Sequence, residues 1–193
     1  MILAGGAINS PQLLELSGIG DPDILEPLDI NVKHALPAVD EHLHDHIYVP
    51  MVYECLPEET SINREARGLR LALSALDWMF RRQGVLTYGP APVGAFWYTR
   101  EGLDAPDIQI RFSSGTASQR EGKRIQAQRY PAMTAIVDRN APDARGSVHI
   151  ESADPKTYPI VRGNYLQSDE DKRALIEGVR LLEKIFTAPS LDE

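Results

Sequence analysis

The first twenty residues constrain this chain more than any other stretch. Met1-Ile2-Leu3-Ala4 is a short apolar run that stops at Gly5-Gly6, the pattern of a buried strand entering a tight turn. Ser10 is a good helix N-cap and Pro11 suits a first helical position, so a helix is predicted to start there. Leu13, Leu14 and Leu16 supply its apolar face, and Gly18 is a natural C-terminal stop. Small residues at the end of such a strand let a ligand approach the backbone closely. The helix N-terminus favours a phosphate or another anion. Many α/β proteins contain a strand, a glycine turn and a helix, so the unit alone names no ligand. Gly18-Ile19-Gly20 is not a dinucleotide fingerprint, because it follows a helix and lacks the third glycine. It reads as a helix stop before Asp21-Pro22, which predicts a cap for a second short helix.

Two stretches carry a more specific signal. Residues 6–20, from Gly6 through Ser10-Pro11 to Ser17-Gly18-Ile19-Gly20, resemble the second signature of the glucose–methanol–choline (GMC) family of flavin-dependent alcohol oxidoreductases. Leu36-Pro37-Ala38-Val39-Asp40-Glu41-His42-Leu43-His44-Asp45-His46 resembles the family's LPGVGxNLxDH stretch. Leu36, Pro37, Val39, Leu43, Asp45 and His46 agree with it. Ala38 and Asp40 stand where the family has glycines, and His42 stands where it has Asn. The replaced glycines leave the local backbone path open, since a non-glycine residue at positive φ is disfavoured. Further family-like segments are Gln83-Gly84-Val85-Leu86-Thr87, Arg145-Gly146-Ser147-Val148 and the run from Asp154 to Leu166.

The resemblance implies an α+β fold: the end of a Rossmann-like FAD-binding domain, followed by an antiparallel-sheet substrate domain with flanking helices. The implied division is 1–46 for the remnant of the FAD-binding domain, 47–166 for the substrate domain, and 167–193 for a helix leading onward. The implied cofactor is FAD, with Ala4, Gly5, Gly6, Asp45 and His46 as cofactor-binding residues. The implied reaction is hydride transfer from a CH–OH donor to the flavin, with a small alcohol as substrate. In the family the signature at residues 6–20 lies in mid-chain, the FAD fingerprint precedes it, and the catalytic histidine lies beyond the last helix. The chain therefore reads as an interior piece that is inactive alone, and no catalytic residue is assigned. Two other readings stay open. One is a non-catalytic remnant or one piece of a split enzyme, joined by a complementary chain. The other is a metal-binding protein using His42, His44 and His46, which share one face if the run is extended. The GMC match accounts for Asp45 and His46 without metal, and no metal ligand is assigned.

Composition narrows the partners. A net charge of −8 argues against nucleic acid and against an anionic membrane surface. No apolar run reaches the roughly 20 residues of a membrane span. The single cysteine, Cys55, permits no internal disulfide and fits a cytoplasmic location. His34 reads as a surface loop residue and His149 as a packed or solvated strand residue. No pair of carboxylates stands out.

The remaining elements follow from periodicity. Strands are predicted at Ile30-Asn31-Val32, from His46 to Tyr53, at 94–99, 107–112, 133–137 and 145–150. Residues 69–82 predict a helix with Leu69, Leu73, Leu76 and Phe80 in one stripe, and Trp78 and Met79 packed in a core. Phe96, Trp97 and Tyr98 alternate faces, so some would line a cavity while others pack. Glu58 to Arg67 and Ser113 to Arg129 read as polar loops. Ser168 with Asp171 resembles a capping box for a last helix striped by Leu175, Val179, Leu182 and Phe186.

Overall fold

A computed structural model of the chain describes residues 2–56, 61–89, 91–118 and 126–189. The backbone divides into two compact units, residues 1–47 with 142–172, and residues 48–141 with 173–193. This interleaved grouping differs from the consecutive division 1–46, 47–166 and 167–193. The reason is pairing: strand β10 (Gly146–His149) binds strand β3 (Glu41–Leu43) on one side and β11 (Ile160–Arg162) on the other. That draws the 145–162 region onto the first unit.

In the first unit, helix α1 spans Gly6–Leu16 and packs on β10. It begins earlier than predicted. Ser10 and Pro11 lie inside it, and the Ser10 hydroxyl accepts from Gly5 N at 2.9 Å. Ser10 thus ties down an amide before the helix instead of capping one within it. Residues 2–4 form no strand and Ile2 is almost fully exposed. A strand needs a hydrogen-bonded neighbour, and none pairs with this segment among the described residues. The helix ends as expected: Gly18 takes φ +84, and a Cβ there would lie 2.3 Å from Asn31 O. Next comes β1 (Ile19–Gly20), then α2 (Pro22–Leu25), capped by Asp21, whose side chain accepts from Asp23 N. Leu25 is fully buried beneath it. The strand expected at 30–32 forms later, as β2 (His34–Ala35), parallel to β1.

The second unit is built on a four-stranded sheet in the order β4-β9-β6-β5. Its strands are β4 (Ile47–Glu54), β5 (Val93–Trp97), β6 (Ile108–Ser113) and β9 (Ala132–Arg139). The inner pair carries the core, with Ile108, Ile110, Ala132, Ala135 and Val137 buried. On helix α4 (Asp169–Phe186), Leu175 and Leu182 of the predicted stripe are buried. Gly178 brings the helix close to the sheet: a Cβ there would lie 2.4 Å from Val137 Cγ1. Tyr53 stacks on Phe186 with ring centroids 3.9 Å apart.

Other expectations are corrected. Helix α3 (Gly68–Arg81) forms where predicted, yet none of its residues is buried, Trp78 and Met79 included. Phe96, Trp97 and Tyr98 are all exposed, because β5 is an edge strand without a covered face. Within the expected 113–129 loop, β7 (Ala117–Ser118) pairs with β8 (Gln126–Ala127); residues 119–125 lie outside the described residues. The expected 58–67 loop is turn over residues 62–66, and residues 57–60 also lie outside the described ones. At the capping box, Ser168 Oγ accepts from Glu170 N and Asp171 N, and the Asp171 carboxylate accepts from Asp143 N and Ala144 N.

Candidate functional site

Ala4, Gly5 and Gly6 are exposed at the start of α1. Gly5 makes no side-chain cap, and the first turn holds no acidic residue. Gly6 enters the helix at φ +79, and a Cβ there would meet nothing within 4 Å. At Gly5 the helix itself crowds the position, with Asn9 Cβ at 3.0 Å from an added Cβ. The helix start therefore offers open space and a positive dipole end, free of a competing carboxylate. That suits a polar or anionic part of a ligand such as FAD.

Asp45 and His46 follow β3 and are exposed. Asp45 has its oxygens occupied: Oδ1 accepts from His46 N and Oδ2 from the Tyr165 hydroxyl, each at 2.8 Å. That bond, with burial, lifts the Tyr165 phenol above its ordinary range. Asp45 thus fixes the turn and ties it to the segment after β11, while the His46 ring stays accessible. The two groups of expected cofactor residues sit on elements that share one support, because α1 packs on β10 and β3 pairs with it.

Asp40 occupies a glycine position of the LPGVGxNLxDH pattern and keeps a glycine's backbone, at φ +70. His42, at the pattern's Asn position, is also left-handed, at φ +63. The open question about the replaced glycines is answered for Asp40: the path persists despite the side chain, held by Val148 N donating to Asp40 O at 2.8 Å. His42 at positive φ also breaks the extended alternation on which a His42–His44–His46 metal face depends. Among the described residues those three imidazoles form no ligand cluster.

Two carboxylates do meet, contrary to expectation. Glu15, fully buried on α1, lies beside Asp40, which is 8% exposed. Glu15 Oε2 accepts from Ile150 N at 2.8 Å, and Glu15 Oε1 lies 2.9 Å from His149 Nδ1. His149 Nε2 lies 3.1 Å from Glu41 Oε1. Burial first, then the Glu15 charge and a hydrogen bond shared with Glu15, and last the Glu41 charge, push the Asp40 carboxyl up to about 8. No local pattern signals this grouping, since Glu15 and His149 are 134 residues apart.

Residues 142–193 match the family model described as GMC oxidoreductase. The whole chain aligns with the oxygen-dependent choline dehydrogenase of Pseudomonas syringae pv. tomato at 33% identity over 192 residues, covering 100% of this chain and 33% of that protein. The protein of the same name from Xanthomonas campestris pv. campestris is 31% identical, covering 100% of this chain and 34% of its own. The chain thus spans about a third of the length of the curated relatives it matches. Among solved structures, formate oxidase of Aspergillus oryzae superposes with a TM-score of 0.82 at 22% identity, over 98% of this chain and 37% of that one. Pyridoxine 4-oxidase from Mesorbium loti gives 0.72 at 20% identity, over 98% and 33%. The fold, mixed helices with antiparallel sheets, is that of these oxidases.

Proposed function

We propose that the chain, whose residues 142–193 match the GMC oxidoreductase model, forms the end of the flavin domain and the substrate domain of an FAD-dependent alcohol oxidoreductase. The observation that carries this reading is the alignment of all but one residue with choline dehydrogenases. The open start of α1 and the accessible His46 support it. In this reading Ala4, Gly5 and Gly6 present backbone to FAD, and the α1 dipole favours its negative groups. Asp45 and His46 approach it from the other segment, with Asp45 as the residue that positions the turn. Held there, FAD would supply a two-electron acceptor, so that an alcohol losing a hydride from its carbinol carbon and its hydroxyl proton to solvent or a base would become an aldehyde or ketone. The substrate class is small alcohols, choline among them. No residue of this chain is assigned as the base, and the location is proposed to be cytoplasmic.

A second reading, one piece of a split enzyme, is favoured by one observation. Leu69, Leu73, Leu76 and Phe80 of α3 are all exposed. An apolar stripe of that kind is normally covered. In either reading the chain alone binds flavin weakly and turns over no alcohol. Titrating FAD into the purified chain, with flavin fluorescence and dye reduction by choline as readouts, tests this. Weak saturation without turnover is expected. A stoichiometric yellow protein that reduces dye would overturn the inventory of parts.

A further inference from the structure

We propose that Glu15, Asp40 and His149 form a binding site for one divalent transition-metal ion, with zinc as the fitting probe. One ligand atom from each lies within 4.8 Å of the others. Bonds of about 2 Å hold neighbouring donors roughly 3–4 Å apart, so a small contraction closes the site. Two observations separate this cluster from an ordinary acidic group. Asp40 is 8% exposed, and among the described residues no N–H or hydroxyl reaches its oxygens; its polar neighbour is the Glu15 carboxyl, which only a shared proton or a cation can join to it. A buried carboxylate in that state is normally paired or coordinated. The other two candidate ligands are already aimed: Ile150 N holds Glu15 Oε2, which leaves Oε1 facing the cluster. Glu41 Oε1, at 3.1 Å, can accept from His149 Nε2 and leave Nδ1 as the donor to metal. A carboxylate behind a metal-bound histidine is the usual orienting arrangement.

The chemistry suits the ion. One imidazole and two carboxylates are borderline-to-hard donors, acceptable to zinc or manganese. A dication takes the place of the proton that Asp40 otherwise holds, which is released to water, and neutralises both carboxylates in a buried place. Because the ligands come from α1, the segment before β3, and β10, the ion would staple three elements of the first unit together. His149 is 16% exposed along its side chain, so water has a path to a fourth position.

The test is zinc titration of the purified chain after chelator treatment, read by calorimetry and by thermal unfolding. One equivalent of zinc and a raised Tm are expected. Asp40→Gly restores a residue that suits φ +70, so it should fold, as circular dichroism in chelator will verify. It should lose zinc affinity by at least about 100-fold, and Glu41→Gln by about 10-fold, the range for losing orienting partners. The double variant His42→Ala/His44→Ala should bind as the parent does. No zinc uptake by the parent would overturn the proposal and leave a proton shared between Glu15 and Asp40. Retained affinity in Asp40→Gly, or loss in the His42/His44 variant, would overturn it as well.

Discussion

Asp40 joins two unfavourable conditions at one position, a left-handed backbone and a buried carboxyl beside Glu15. Its consequence is a pH dependence whose sign can be worked out. Its folded pKa is raised from 3.8 to about 8. Between those values the native chain holds a proton that the unfolded chain has released, so raising the pH favours unfolding. In chelator, Asp40→Asn should therefore match the parent near pH 4 and exceed it increasingly up to about pH 8, by on the order of 1 kcal/mol or more. Urea unfolding at a series of pH values measures this, and a constant gap would contradict it. None of this was legible in the sequence. The glycine replacement was visible, but the neighbours that make it consequential, Glu15 and His149, arrive through packing. Gly18 and Asp21 were legible because a helix stop and an N-cap depend on the adjacent few residues.

At the level of elements, periodicity read α3, α4, β4, β6 and β9 well, since each carries its signal within a single segment. It failed where a neighbour decides: residues 2–4 had apolar character but no partner strand, and β5 had alternation but no second layer. The stripe of α3 was read correctly and its burial was not. Leu73→Gln with Leu76→Gln should accordingly change stability by no more than about 0.5 kcal/mol, as for surface sites. The same pair should reduce binding of an apolar fluorescent dye. A loss of several kcal/mol would show that the stripe is packed. Strand β10 is the opposite case. A Cβ on Gly146 would lie 1.9 Å from Arg162 O, a backbone atom. Gly146→Ala should cost about 2 kcal/mol or more by prising β10 from β11. Gly89→Ala, where a Cβ meets nothing within 4 Å, should be near neutral. Chemical denaturation of both variants is the check.

For the whole molecule, the sequence carried the family resemblance over nearly its full length, and the fold agrees with those of formate oxidase and pyridoxine 4-oxidase. The interleaving of the two units was not legible, because it depends on β10 pairing back to β3 across about a hundred intervening residues. No described helix is long and apolar enough to cross a membrane. The role proposed for this chain is to supply the flavin-facing end and substrate domain of an alcohol oxidoreductase. Replacing the aligned third of the Pseudomonas syringae choline dehydrogenase with this chain tests it most directly, with flavin content per folded protein as the measurement. A yellow chimera is expected, and Ala7→Asp, which places a carboxylate in the first turn of α1, should lower its flavin content. A folded chimera without flavin, or one whose flavin ignores Ala7→Asp, would contradict it.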